Sequence, residues 1–67
     1  MRARYAKKLH DRDQVEVRID PGVWVVRHVL GDPRIVEDTE HLQGGVFVST
    51  LCADGSIQGN VRHTDLR

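Results

Sequence analysis

The sequence predicts an all-β protein, a small barrel of five short strands. Apolar and polar residues alternate over several short runs, which is the pattern of half-buried strands. Glycine, proline and aspartate clusters separate these runs at intervals of about ten residues, as in small sandwiches and barrels. No segment keeps a helical period over the length of a helix. A barrel would also remove the exposed edges that such valine-rich strands otherwise leave.

Length and composition limit the chain to one small globular domain. It has 67 residues, 39% hydrophobic and 30% charged, with ten basic and ten acidic side chains. A core this small gives marginal stability, so a homodimer is one expectation. The single cysteine, the lack of an apolar leader in residues 1–10 and the lack of a membrane-length apolar run predict a cytoplasmic protein that does not enter membranes. The composition suggests a bacterial or bacteriophage origin.

Residues 1–13 carry a local excess of positive charge and no strand pattern. Their acids are Asp11 and Asp13, and their bases are Arg2, Arg4, Lys7, Lys8 and Arg12. The segment is either a helical turn or a mobile arm, and we favour a basic N-terminal arm that enters the barrel near Leu9.

The next residues alternate clearly. Val15, Val17 and Ile19 share one face of a strand over residues 14–19. The sequence Asp-Pro-Gly at residues 20–22 then predicts a type II turn. Residues 23–30 form a second strand that is apolar on both faces, and for its Trp24 a place in the core and a place at the rim of the barrel both stay open.

The second half of the chain contains weaker strands. Gly31, Asp32 and Pro33 are expected to end the second strand. Residues 34–43 either begin a short strand at Ile35 or form an exposed acidic loop. Residues 46–51 alternate again, and a hairpin turn is expected at Asp54 and Gly55 before a last strand with Ile57, Gly59 and Val61. His63 to Asp65 then predict a closing 3₁₀ turn, after which Leu66 plugs the core.

Several of these segments, taken in order, resemble the SH3-like barrels of the Tudor, agenet and KOW type. They are VEVR (15–18), DPGVW (20–24), GGVFV (44–48), DGS (54–56) and NVRHTDLR (60–67). The resemblance places the barrel at residues 14–67 and implies a binding module rather than an enzyme, with no cofactor. The sequence departs from the pattern of that family at Arg27, whose side chain must reach solvent or an acid such as Glu16 or Glu37. Only three aromatic side chains are present, too few placed together for a methyl-lysine cage.

A more distant resemblance is to the plasmid-borne type II dihydrofolate reductases, short SH3-like barrels that assemble as tetramers around a pore. It depends on Trp24, the GVFV segment and Gln58. Gly59 and Asn60 stand where the pore motif of that family continues to a tyrosine. An enzyme-like homotetramer is therefore a further alternative.

Two binding hypotheses follow. In the first, a rim recognises a basic segment of another protein; its residues are Asp20, Trp24, Arg27, His28, Glu37, Asp38 and Glu40. In the second, nucleic acid binds to the arm and to outward-facing arginines, and the residues are Arg2, Arg4, Lys7, Lys8, Arg18 and Arg62. No catalytic residue and no metal site is predicted, because the histidines lack the paired spacing of zinc ligands and no basic residue adjoins Cys52.

Overall fold

Four antiparallel strands form one sheet in the order β1-β2-β3-β4 in the computed structural model, which describes Met1–Arg67. The elements are α1 (Ala3–Ala6), β1 (Gln14–Asp20), β2 (Val23–Val36), β3 (Gly45–Leu51), β4 (Ile57–Arg62) and a 3₁₀ turn (His63–Asp65). The all-β prediction is confirmed. The structure has four strands, however, and not the five of the predicted barrel. The one α-helix is a single turn, so no helix here is long or apolar enough to cross a membrane.

The first hairpin follows the sequence pattern, with one exception. Val15 and Val17 are buried, and Gly22 at the turn has φ of +75°, a conformation that glycine adopts without strain. Ile19 was expected to lie in the barrel wall, but its side chain is 46% exposed. The pairing of β1 with β2 shifts register between Arg18 and Asp20, and the alternation that would bury Ile19 ends there.

The second strand does not end where the sequence predicted. β2 runs through the Gly-Asp-Pro signal as a bulge, because Leu30 pairs with Ser49 and Arg34 already pairs with Phe47. Three residues of β2 therefore lie opposite a single residue of β3. A proline is tolerated at such a bulge because no ladder hydrogen bond is required of it. The short strand that the sequence left open at Ile35 is thus the last part of one bent strand, and the sheet has four strands.

The core is small and consists mainly of valine. Its buried apolar side chains are Ala6, Val15, Val17, Val29, Val46, Val48, Val61 and Leu66. β3 contributes every second side chain to it, as its alternation predicted. The predicted 3₁₀ turn and the burial of Leu66 are both confirmed.

The residues after the 3₁₀ turn pair with β1. The Glu16 N–H donates to the Arg67 carbonyl oxygen at 2.9 Å, and the Arg67 N–H donates to the Glu16 carbonyl oxygen at 3.0 Å. Val17 and Leu66 form an isolated antiparallel bridge beside them. The chain therefore returns from β4 to the opposite edge of the sheet.

The last strand keeps only part of its predicted pattern. Val61 is buried, but Ile57 is 66% exposed and Gly59 is exposed as well. The β3–β4 pairing shifts register opposite Ser49, and Asn60 adopts φ of +56° there. This irregularity breaks the alternation, so one face of β4 does not point to the core along its whole length.

For the N-terminal segment the sequence left a helical turn and a mobile arm as alternatives. The structure shows that the segment begins with a helical turn. Ala6 of α1 is fully buried, and the Met1 nitrogen donates a hydrogen bond to the Leu66 carbonyl oxygen. Further along, the Arg12 N–H donates to the Val29 carbonyl oxygen at 2.6 Å. The segment thus contacts both the C-terminal residues and β2.

The buried hydroxyl of Thr50 provides a test of the core. Its Oγ1 has no hydrogen-bond partner among the protein groups, and the residue has no exposed surface. The substitution Thr50→Val replaces this hydroxyl by a methyl group of similar shape. We expect it to raise the free energy of unfolding by about 1 kcal/mol, because a buried polar group without a partner is destabilising.

Chemical denaturation followed by tryptophan fluorescence measures this change. Thr64→Val, at an exposed threonine, is the control and should leave stability nearly unchanged. A clear loss of stability in Thr50→Val would mean that the hydroxyl is bonded in the native protein.

Candidate functional site

An open cleft of about 480 Å³ lies where α1, the end of β2, the start of β3 and the 3₁₀ turn meet. It brings together residues that are far apart in sequence and that belong to both binding hypotheses. The side chains that define its character are Lys7, Ile35, Glu37, Asp38, Arg62 and His63.

An apolar side chain lies open in this cleft. Ile35 pairs with Val46 across β2 and β3, so both residues point to the same face of the sheet. Val46 is covered by the core, whereas Ile35 is 56% exposed. The sheet extends past its own core at this end and leaves apolar surface in the cleft.

The loop after β2 folds back onto the sheet because residue 44 is a glycine. Gly44 is buried, and a Cβ atom built there would overlap the backbone of Val36, Glu37 and Asp38. Its N–H donates to Asp38 Oδ1 at 2.6 Å. The close approach and this hydrogen bond together fix the base of the acidic loop, residues 37–44, at the edge of the cleft.

The acids of this loop have no cationic partner within the protein. The three salt bridges of the chain join Arg12 to Asp11, Arg18 to Asp65 and Arg67 to Glu16. None involves Glu37, Asp38 or Glu40. The acidic loop therefore presents uncompensated negative charge beside the exposed Ile35.

Basic side chains also line the cleft, and hydrogen bonds to the backbone hold Arg62 and His63 in place. Arg62 Nη2 donates to the Gly44 carbonyl oxygen. The Val46 N–H donates to His63 Nδ1 at 3.2 Å, which leaves the proton of a neutral His63 ring on Nε2. Lys7 reaches the cleft from the end of α1.

A second, smaller cleft of about 350 Å³ lies at the turn between β1 and β2. Arg18, Ile19, Asp20, Pro21 and Asp65 line it. Arg18 is bound to Asp65 there, with Nη2 to Oδ1 at 2.5 Å and Nε to Oδ1 at 3.1 Å.

The predicted rim is therefore divided between two places. Asp20 ends β1 and lines the smaller cleft, whereas Glu37 and Asp38 follow the end of β2 and line the larger one. Arg18 and Arg62 were expected to share an outer basic face. They are also separated, because Arg18 lines the smaller cleft and Arg62 lines the larger one.

Trp24 does not lie in the core, which was one of the two positions that the sequence left open. It is half-buried on the outward face of the first hairpin, paired with Arg18. The Arg67 guanidinium lies 4.4 Å from the centre of its ring. Trp24 lines neither cleft, and its cation–π contact holds the chain after the 3₁₀ turn against β1 and β2.

The other predicted residues of β2 also lie outside the clefts. Arg27 Nη1 donates to Gln58 Oε1, so its partner is this amide and neither of the acids that the sequence suggested. His28 is exposed and pairs with Gln14 and Leu51. The reductase-like alternative, which depends on Gln58, stays a prediction.

The basic residues of the N-terminal segment are mostly turned to solvent. Arg4 lies over the ring of Tyr5, 5.0 Å from its centre, and donates to its hydroxyl oxygen. Arg2 and Lys8 are exposed. Only Lys7 of this set lines the larger cleft.

Sequence reasoning missed Ile35 as a residue of the cleft, and it missed the adjacent pairing of Arg34 with Phe47. Their place depends on the register of β2 with β3 after the bulge, and no local pattern encodes that register. The one available signal was the apolar pair at residues 35–36 directly before the acidic cluster.

No protein-family model matches this chain, and comparisons with curated proteins and with solved structures found no significant match.

The substitution Gly44→Ala tests how the acidic loop is held. The added methyl group meets backbone atoms that cannot move without displacing the loop, so we expect a loss of roughly 1–3 kcal/mol in the free energy of unfolding. Gly59→Ala is the matched control, because the nearest atom to its Cβ is Ser49 Oγ at 3.8 Å. Equal effects of both substitutions in denaturant titrations would contradict the close packing at Gly44.

The hairpin turn between β3 and β4 contains the one clearly perturbed carboxyl group. Asp54 Oδ1 accepts a hydrogen bond from Ser56 Oγ at 2.6 Å and another from the Ser56 N–H at 2.9 Å. The hydroxyl bond, and then the backbone bond, lower the pKa of Asp54 below its usual range.

Ser56→Ala should raise the pKa of Asp54, because the larger of the two causes is removed. Carboxyl carbon shifts measured by NMR against pH give the titration midpoint in both proteins. Since the native pKa is lowered, the stabilisation by this turn is present above the unfolded pKa and is lost as pH falls through the native value. An unchanged midpoint in Ser56→Ala would assign the shift to another cause.

Proposed function

We propose that this chain is a non-catalytic binding module that holds a basic segment of a partner protein in the larger cleft. The observation that carries the proposal is the exposed Ile35 beside the uncompensated acids Glu37 and Asp38. Apolar surface next to negative charge fits the methylene stem and the charged end of a lysine or arginine side chain.

The two parts of this surface contribute differently. Ion pairs at exposed positions are worth about 0.2–1 kcal/mol each, so the acids mainly give selectivity and a faster encounter. Burial of the exposed part of the Ile35 side chain by the partner adds roughly 1 kcal/mol to the binding free energy. The expected affinity for a short basic segment is accordingly low, with a Kd of roughly a millimolar or weaker.

We also propose that the fold is an SH3-like barrel. The support is the return of the chain after the 3₁₀ turn, where Glu16 and Arg67 exchange two backbone hydrogen bonds. A short final strand at residues 66–67 would close such a barrel against β1.

NMR titration with a lysine-rich peptide tests the binding proposal. We expect amide shifts at Ile35 and in residues 37–44, and weaker binding as salt rises. Glu37→Gln should reduce the affinity about twofold to fivefold, as for the loss of one exposed ion pair. Asp38 is unsuitable for this test because its carboxylate also holds Gly44.

Asp20→Asn is the matched control, since it removes one acid at the other end of β2. It should leave peptide binding unchanged. Shifts confined to the smaller cleft, or equal losses in both variants, would contradict the proposal.

Nucleic-acid binding is the second candidate. It is supported by the position of Lys7 and Arg62 in one cleft and by the exposed bases of residues 1–13. If an oligonucleotide and not the lysine peptide shifts Lys7 and Arg62, with an affinity that falls steeply with salt, this candidate replaces the first.

A further inference from the structure

An arginine, a phenylalanine and a second arginine form one row across three strands. Arg34 of β2 pairs with Phe47 of β3, and Phe47 pairs with Arg62 of β4. The guanidinium carbons lie 5.8 Å and 5.7 Å from the centre of the Phe47 ring. Both arginines are therefore held near one ring, where cation–π attraction offsets part of their mutual repulsion.

Each guanidinium is fixed by a neutral acceptor. Arg34 Nη2 donates to Asn60 Oδ1 at 2.8 Å, and Arg62 Nη2 donates to the Gly44 carbonyl oxygen. Neither arginine takes part in a salt bridge, in contrast to Arg18. A guanidinium has five N–H donors, so most donors of this pair stay free.

The surrounding backbone is shaped to hold this arrangement. A Cβ atom at Gly45 would lie 3.2 Å from both Cζ and Nη2 of Arg62, so the glycine lets the guanidinium lie close to the sheet. Asn60, the acceptor for Arg34, adopts φ of +56°, which is costly for most residues other than glycine but is tolerated by asparagine. The two positive charges are thus held in place before any ligand binds.

We propose that Arg34 and Arg62 form an oxyanion site for a carboxylate of the partner segment. Two guanidinium groups that retain free N–H donors suit a carboxylate, which accepts several such bonds. Arg62 also lines the cleft that contains Glu37 and Asp38. The inference rests on the proposed function and specifies it further: the partner segment has mixed charge, with a basic side chain at the acidic loop and an acidic side chain at the arginine pair.

A mixed-charge peptide fits this surface better than a nucleic acid does. The acids Glu37 and Asp38 lie in the same cleft as Arg62 and would repel a continuous chain of phosphates. A peptide that alternates in charge pairs with both the acids and the arginines.

The test compares two peptides that differ at one position. Both carry the same lysines, and one has a glutamate where the other has a glutamine. The glutamate peptide should bind the native chain about fivefold more tightly. In Arg34→Gln this ratio should fall to about one, while the affinity for the glutamine peptide stays the same.

Matched variants separate the arginine pair from charge in general. Arg18→Gln removes one arginine from the other cleft and should leave the ratio unchanged. Arg34→Lys keeps the positive charge but lacks the planar guanidinium group. The preference for the glutamate peptide over the glutamine peptide should therefore be only partly retained. Gly45→Ala displaces Arg62 without removing its charge and should also lower the ratio. The dispersion of NMR amide signals shows whether each variant is folded.

Titration with inorganic phosphate tests the site without any peptide, with sodium chloride of equal ionic strength as the control. We expect saturable shifts at the side-chain Nε–H groups of Arg34 and Arg62. If phosphate shifts these groups but neither peptide binds, the proposed function fails and the oxyanion site stands.

Three results would overturn the inference. Equal binding of the two peptides would leave the basic-segment function without an oxyanion site. If neither phosphate nor the peptides shift the side-chain signals of Arg34 and Arg62, these arginines do not form an oxyanion site. An oligonucleotide that binds more tightly than the glutamate peptide, in a manner that needs Arg34, would assign the site to nucleic acid.

Discussion

The position of Leu66 in the centre of a valine core is the constraint on which the structure depends. Leu66 is the largest of the fully buried side chains, and its backbone bridges to Val17 of β1. The Met1 nitrogen donates to its carbonyl oxygen, and Arg67 beside it covers Trp24. Loss of a buried leucine costs about 2–5 kcal/mol, which is a large share of the stability of a domain this small.

The same segment of chain determines the geometry of the larger cleft. Arg62 ends β4 and His63 begins the 3₁₀ turn that leads to Leu66, and both side chains are bound to backbone groups of residues 44–46. Because Leu66 is fixed in the core, the turn before it holds these two side chains against β3. The cleft is thus formed where the chain closes on itself.

The fold was predictable where local patterns decide it, and the site was not. Alternation and turn residues identified β1, β3 and the closing turn. The strand count was wrong because Gly31 and Pro33 mark a bulge inside β2, and the same residue types also mark the end of a strand. The pairing of Arg34 with Phe47 follows from that bulge. The sequence grouped Asp20 with Glu37 in one rim because the length of β2 was underestimated, and the structure places the two acids in different clefts.

Native-state amide hydrogen exchange at Glu16 and Arg67 tests the central claim that the residues after the 3₁₀ turn are docked on β1. Both amides donate to each other's carbonyl oxygens at the edge of the sheet. If the docking of Leu66 is part of the cooperative core, they should exchange as slowly as the amides of β3, through global unfolding. Exchange at the rate of an unstructured peptide, with β3 still protected, would contradict the account.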